Sequence, residues 1–303
     1  MKNKNLYWAM YLILIVAIQY IVRFFIIRPE YVAKGISLQI PEWIFALIVF
    51  ATLCIALGSF FIVSYYKDRQ SKPFSQSDLQ KSDKRYIAFF VFSFIGCGLG
   101  LFAGWKIQFF NLGVLYIIYA TILYFYALRY RLLAFWGNFI LGLIPVLLIL
   151  NIWLFEFFAL RNNPMDLGII INSPVFSSIN ASILLYASFC FVLIFAQQIV
   201  KDIITSPQAP SGSEIFAIRY GIQNTKKILV ATLILLLAIS ICFVFYFMGT
   251  IPSYFLVGGV FIGICELLLL FKAFKCSTIE DFKSLEYLFD VLVILGVFVF
   301  VIR

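Results

Sequence analysis

The sequence predicts an all-α, multi-pass membrane protein with about nine transmembrane helices, on three observations. The 303-residue chain is 64% hydrophobic with a mean hydropathy of +1.04, too apolar for a water-soluble domain of ordinary composition. Its apolar residues come in runs of the length that a helix rising about 1.5 Å per residue needs to cross the hydrocarbon, about 20 residues. And 17 of the 23 Lys and Arg residues fall in connections that alternate onto one side of such a bundle, the bias that marks cytosolic segments.

The runs cover 6–27, 43–66, 86–105, 108–128, 137–158, 179–200, 228–249, 252–271 and 284–302. The first follows Lys2 and Lys4 but continues through Phe24 to Ile27 with no small-residue cleavage site, so it is expected to be retained rather than removed as a signal. Pro145 in the fifth run is expected to bend that helix and open room beside Asn138 and Gly142. Charged or amide side chains inside the runs tend to face a partner or a cavity, because a charge at the bilayer centre costs about 2.5–3.5 kcal/mol on insertion scales. Gln19, Arg23, Asn138, Asn151, Gln197, Gln198, Glu266 and Asp290 stand in this position. Snorkelling or interhelical hydrogen bonds account for Arg23, Asn151 and Asp290. Gln197 and Gln198 are a different case, since they precede Lys201-Asp202 by one turn and place amides at the mouth of a basic loop.

The charge bias puts the N-terminus in the cytosol and, with nine spans, the C-terminus outside a cytoplasmic membrane. It also accounts for the net charge of +9 as topology, so no nucleic-acid partner is called for. The six cysteines fall singly with no C-x-x-C spacing, which indicates neither a disulfide framework nor a zinc site. Histidine is absent, so any metal is expected on oxygen ligands.

Two cytosolic connections share a pattern. Lys67-Asp68 is followed by Pro73 and Lys201-Asp202 by Pro207, each proline five residues beyond the aspartate. An internal duplication of four-helix units would superpose loops 67–85 and 201–227. A helix leaving the membrane in Lys and then a proline stop would produce the same pattern by chance. Both loops carry net positive charge, +3 and +2.

Several stretches together resemble the UbiA-like intramembrane prenyltransferases, the family of 4-hydroxybenzoate polyprenyltransferase. "LYFYALRYRLLAFWGNFILGLIP" (123–145) is similar to a family segment in which a Tyr-rich helix end precedes a basic residue and then Gly-Asn, here Arg131, Gly137 and Asn138. "QQIVKDI" (197–203) resembles the family's R-E-x-x-K-D-x-x-x-D stretch, and "GSEIFAIRYG" (212–221) keeps the Gly-to-Gly spacing of the segment after it. "NLYWAMYLILIVAIQYIVRFFIIRP" (5–29) is similar to the first helix of bacterial members. The resemblance implies a single domain over 1–303, with a central cavity roofed by the loops after helices two and six. It also implies transfer of a prenyl group from a prenyl diphosphate to a lipidic or aromatic acceptor. A prenyl diphosphate ionises only if the departing diphosphate is neutralised, which Mg²⁺ held by carboxylates does.

The chain departs from the family at those carboxylates. Ser64 and Lys67 stand at aspartate positions of the first motif, leaving Asp68. In the second, Asp202 is present, but Thr205 and Ser206 stand near the place of its partner, and Gln197-Gln198 replace Arg-Glu. The resemblance therefore implies Asp68 and Asp202 as ligands of a single Mg²⁺ ion. Lys67, Lys72, Arg131, Lys201 and Arg219 are its candidates for holding diphosphate, and Tyr66, Asn138, Gln197 and Gln198 its candidates for lining the cavity. No residue is singled out as catalytic beyond these. The alternative is a catalytically inactive relative that binds an isoprenoid or quinone-like lipid, or partners another membrane enzyme.

Overall fold

The computed structural model describes the backbone of residues 4–71, 76–209, 213–247 and 253–298, and the side chains within them except those of 4–8, 68–71, 76–82, 247, 253–257 and 297–298. Its elements are helices: α1 (Lys4–Ile21), α2 (Arg28–Val32), α3 (Glu42–Ser71), α4 (Gln76–Lys106), α5 (Phe110–Leu128), α6 (Ala134–Ala159), α7 (Pro164–Ile171), α8 (Pro174–Thr205), α9 (Phe216–Arg219), α10 (Gly221–Phe247), α11 (Ser253–Lys275) and α12 (Ile279–Phe298). Among the described residues no strand forms; Leu133 and Glu214 make one isolated parallel bridge. Among the described residues, seven helical segments are long and apolar enough to cross a membrane. They coincide with the first seven expected spans, and the chain is a multi-pass membrane protein. Helices α11 and α12 cover most of the eighth and ninth expected runs, and each extends into side chains outside the description.

The first span is not one regular helix. Val22–Ile27 winds as a π-helical turn between α1 and α2. Arg23 within it is fully buried beside the Phe24 ring, 5.2 Å from its centroid, so it does not reach outward as snorkelling would have it. Helix α6 runs on through Pro145. The room expected beside Gly142 is filled, because a Cβ there would lie 3.1 Å from the Phe191 ring and from its carbonyl oxygen.

The chain divides into two compact units. The first comprises Met1–Gln19, Ile27–Arg131 and Leu150–Ser177. In it α3, α4 and α5 pack on one another. Lipid supplies little hydrophobic drive between helices, so close approach depends on small residues. A Cβ on Gly113 would sit 2.5 Å from Leu101 Cα, so α4 and α5 meet backbone to backbone there. Polar side chains are paired across helices: Gln19 donates to Thr52 Oγ1 at 2.7 Å, and Asn151 to the Tyr116 hydroxyl at 2.9 Å. Glu156, fully buried, accepts from the backbone N–H groups of Gln39 at 3.0 Å and Ile40 at 3.3 Å, which fastens the segment before α3 to α6.

The second unit comprises Tyr20–Ile26, Leu132–Ile149 and Ser178–Arg303. Helix α10 packs on α11 and α11 on α12. The Lys226 ammonium donates to the carbonyls of Phe274 (2.8 Å) and Cys276 (2.7 Å), satisfying the end of α11. Thr278 and Asp281 form a reciprocal cap at the start of α12. The N–H groups that Asp281 accepts pull its carboxyl down to about 2.

The backbone contact at Gly113 yields a prediction. Gly113→Ala is expected to destabilise the purified protein by about 1–3 kcal/mol through overpacking. Gly98→Ala, whose Cβ would meet nothing within 4 Å, is expected to leave the thermal midpoint in detergent unchanged.

Candidate functional site

The candidate site of the second unit is built where α6 begins and α8 ends. Leu132 and Leu133 precede α6, and the segment after α8 returns to them: the Glu214 N–H donates to the Leu132 carbonyl at 2.8 Å beside the Leu133–Glu214 bridge. That return buries Ile215, Phe216 and Ala217. Phe216 meets Phe195 of α8 edge to face. Gly221 supplies the positive φ, +75°, at the turn between α9 and α10, a conformation that side chains with a Cβ rarely adopt.

Asp202, on the last turns of α8, ties these parts together. Its Oδ2 accepts from Asn138 Nδ2 at 2.9 Å and from the Phe216 N–H at 3.4 Å. The first is a good hydrogen bond and the second is long. Asn138 is 5% exposed and Asp202 half-buried. The Asp202 Oδ1 accepts no hydrogen bond among the described residues, and no described Lys or Arg pairs with this carboxylate. The arrangement is therefore a hard, oriented anionic oxygen with one side committed and the other uncommitted.

The other sequence candidates fall in different surroundings. Arg131, in the 3₁₀ turn Tyr130–Leu132, is half-buried and donates to the Val63 carbonyl at 3.3 Å. Burial pushes its guanidinium below the ordinary arginine value, partly opposed by Tyr126. Tyr66 is half-buried against Ile62, Tyr65, Phe89 and Ala127 with Tyr86 and Tyr124. Lys67 is exposed at the end of its span. Lys201 stands within electrostatic reach of Glu286 and Asp290 of α12. Gln197 is 1% exposed and donates to Asp290 Oδ1 at 2.6 Å, an interhelical hydrogen bond; Gln198 is half-buried. Arg219 is exposed, paired with Glu214 at 3.3 Å and set over the Tyr220 ring. The Asp68 side chain and the whole of Lys72 lie outside the described residues.

Sequence reasoning missed Glu156 and Glu286. Glu156 is the lone carboxylate of α6, and the argument that singled out Glu266 would have singled it out too.

Among the described residues no group of three His, Cys, Asp or Glu side chains forms a metal cluster. The donor set is nonetheless of the right kind for Mg²⁺, which prefers carboxylate oxygen and is commonly held by one or two carboxylates together with substrate phosphates. Asp202 Oδ1 fits as one such ligand.

No protein-family model matches the chain, and no curated protein sequence matches it. A solved structure does, from work on digeranylgeranylglyceryl phosphate synthase in membranes. It superposes with a TM-score of 0.64 at 18% identity, over 95% of this chain and 92% of that one. At that identity the likeness is one of fold, and it extends over nearly the whole chain.

Proposed function

We propose that the protein is an integral membrane prenyltransferase-like protein. It transfers a prenyl group from a prenyl diphosphate to a lipidic or aromatic acceptor, as a single domain of nine membrane helices with a cytosolic N-terminus and an outer C-terminus. One observation carries the reading. Asn138 and Asp202, singled out by resemblance in segments 64 positions apart, meet in a 2.9 Å hydrogen bond that leaves one carboxylate oxygen open. The fold shared with a protein whose work concerns digeranylgeranylglyceryl phosphate synthase supports it.

In this reading Asp202 holds one Mg²⁺, with Asp68 as the second protein ligand carried over from the resemblance. Held there, Mg²⁺ would supply positive charge against the departing diphosphate. Asn138 fixes the carboxylate rotamer, so Asp202 Oδ1 is presented without reorganisation when substrate arrives. Arg131 grips diphosphate oxygens. Its partial burial raises what it gains from an anion, and its planar fork suits two oxygens at once. Lys67, Lys72, Lys201 and Arg219 add positive charge. Tyr66, Gln197 and Gln198 belong to the cavity wall.

Binding of a prenyl diphosphate to the purified protein, with and without Mg²⁺, tests this. Affinity is expected to depend on Mg²⁺ and to fall by at least about tenfold in Asp202→Ala, the loss of one charge-assisted contact. Metal-independent binding unchanged by that substitution would overturn the reading. It would favour a catalytically inactive relative that binds an isoprenoid or quinone-like lipid or partners another membrane enzyme, an alternative supported by the ties of Lys201 to Glu286 and Asp290 and of Arg219 to Glu214. The arginines should also separate. Arg131→Ala is expected to weaken binding about tenfold, and Arg219→Ala, exposed and already paired, by less than about threefold.

A further inference from the structure

Lysines gather in the second unit where α10 begins and α11 ends. Lys226, in the first turns of α10, donates to the carbonyls of Phe274 at 2.8 Å and Cys276 at 2.7 Å. That tie draws the start of α10 against the end of α11, and so brings Lys227 to the same end of the pair as Lys275. Both Lys227 and Lys275 are exposed. The acids of the neighbouring turn are committed elsewhere: Glu280 accepts from Lys283 at 2.6 Å, and Asp281 accepts the N–H groups of Ser277 at 3.0 Å and Thr278 at 2.9 Å. Among the described residues neither Lys227 nor Lys275 pairs with a carboxylate.

Capping does not account for Lys275. Lys226 already satisfies carbonyls at the end of α11, and the Lys275 ammonium lies instead 4.2 Å from the centroid of the Phe271 ring, one turn back. Ile264, Leu268, Phe271 and Lys275 follow at steps of four, three and four, which is one face of a helix, and all four are exposed. On a multi-pass membrane protein an exposed apolar stripe lies against acyl chains, and a lysine that ends it stands at head-group depth. Unpaired ammonium groups at that depth complement a net-negative lipid head group. We propose that this end of the α10–α11 pair is a binding site for an anionic phospholipid, whose phosphate meets Lys227 and Lys275 while an acyl chain runs along Phe271 and Leu268. The site is separate from Asp202 and does not rest on the prenyl-transfer reading.

The test titrates the purified full chain, in a neutral detergent, with dioleoylphosphatidylglycerol and with dioleoylphosphatidylcholine, and reads bound lipid by native mass spectrometry. The two lipids share their chains, so the ratio of their affinities reports the head group. Phosphatidylglycerol is expected to bind about tenfold more tightly. Lys227→Gln and Lys275→Gln are each expected to cut that ratio about threefold, and the double variant to bring it close to one. Lys283→Gln removes the same charge from a lysine already paired with Glu280, and is expected to leave the ratio as it was. Phe271→Ala is expected to weaken both lipids alike. A ratio taken within each variant is a readout that a merely destabilised protein would not move. Free glycerol 1-phosphate is expected not to displace phosphatidylglycerol, and the double variant to bind prenyl diphosphate as the unsubstituted protein does. Equal affinity for the two lipids, a ratio unchanged in the double variant, or a ratio that falls as far in Lys283→Gln would each overturn the proposal. So would displacement by glycerol 1-phosphate at the concentrations phosphatidylglycerol itself requires, which would mark a site for a free anion, or loss of prenyl diphosphate binding in the double variant, which would place these lysines in the other site.

Discussion

A single carboxylate at the end of α8 holds the candidate site together. Asp202 accepts the Asn138 amide of α6 and the Phe216 N–H of the returning segment on one oxygen, and the burial of Ile215, Phe216 and Ala217 follows from that return. A hydrogen bond to a charged group contributes about 1.5–3 kcal/mol net, several times an exposed ion pair such as Arg219–Glu214. Packing of Phe216 near Phe195 then fixes what the hydrogen bonds orient. The catalytic reading depends on this clamp, because a carboxylate free to rotate would meet a cation or phosphate only after ordering itself.

The same economy recurs along the membrane-embedded part of the chain. Several buried polar side chains are set against a particular partner through at least one atom: Gln19 with Thr52, Asn151 with Tyr116, Gln197 with Asp290, Glu156 with the backbone of Gln39 and Ile40. In hydrocarbon an unpaired group is expensive, so these contacts specify which helix faces which where lipid and side chain are equally apolar. Asp202 lies where the polar segment after α8 folds back, with its second oxygen accepting no hydrogen bond among the described residues.

The helical spans were legible because hydropathy and length decide them, and the first seven appear where the apolar runs lie. Asn138 and Asp202 were legible through the family resemblance; that they touch was not, since 64 positions and helix α7 lie between them. Glu156 stands in an apolar run as plainly as Glu266 does; what the sequence does not carry is its partners, backbone N–H groups more than a hundred residues away. The π-helical turn at Val22–Ile27 has no Pro or Gly to announce it. The room foreseen beside Gly142 was lost to Phe191, a packing choice made by a different helix. Local chemistry is written in the sequence, whereas the identity of the neighbour that answers it is set by the fold.

The clamp is tested most directly by a double-mutant cycle on Asn138→Ala and Asp202→Ala, read from unfolding of the purified protein in detergent. The account predicts a coupling energy of about 1 kcal/mol or more between the two positions. Effects that simply add, to within about 0.5 kcal/mol, would contradict it and leave the orientation of Asp202 without its cause.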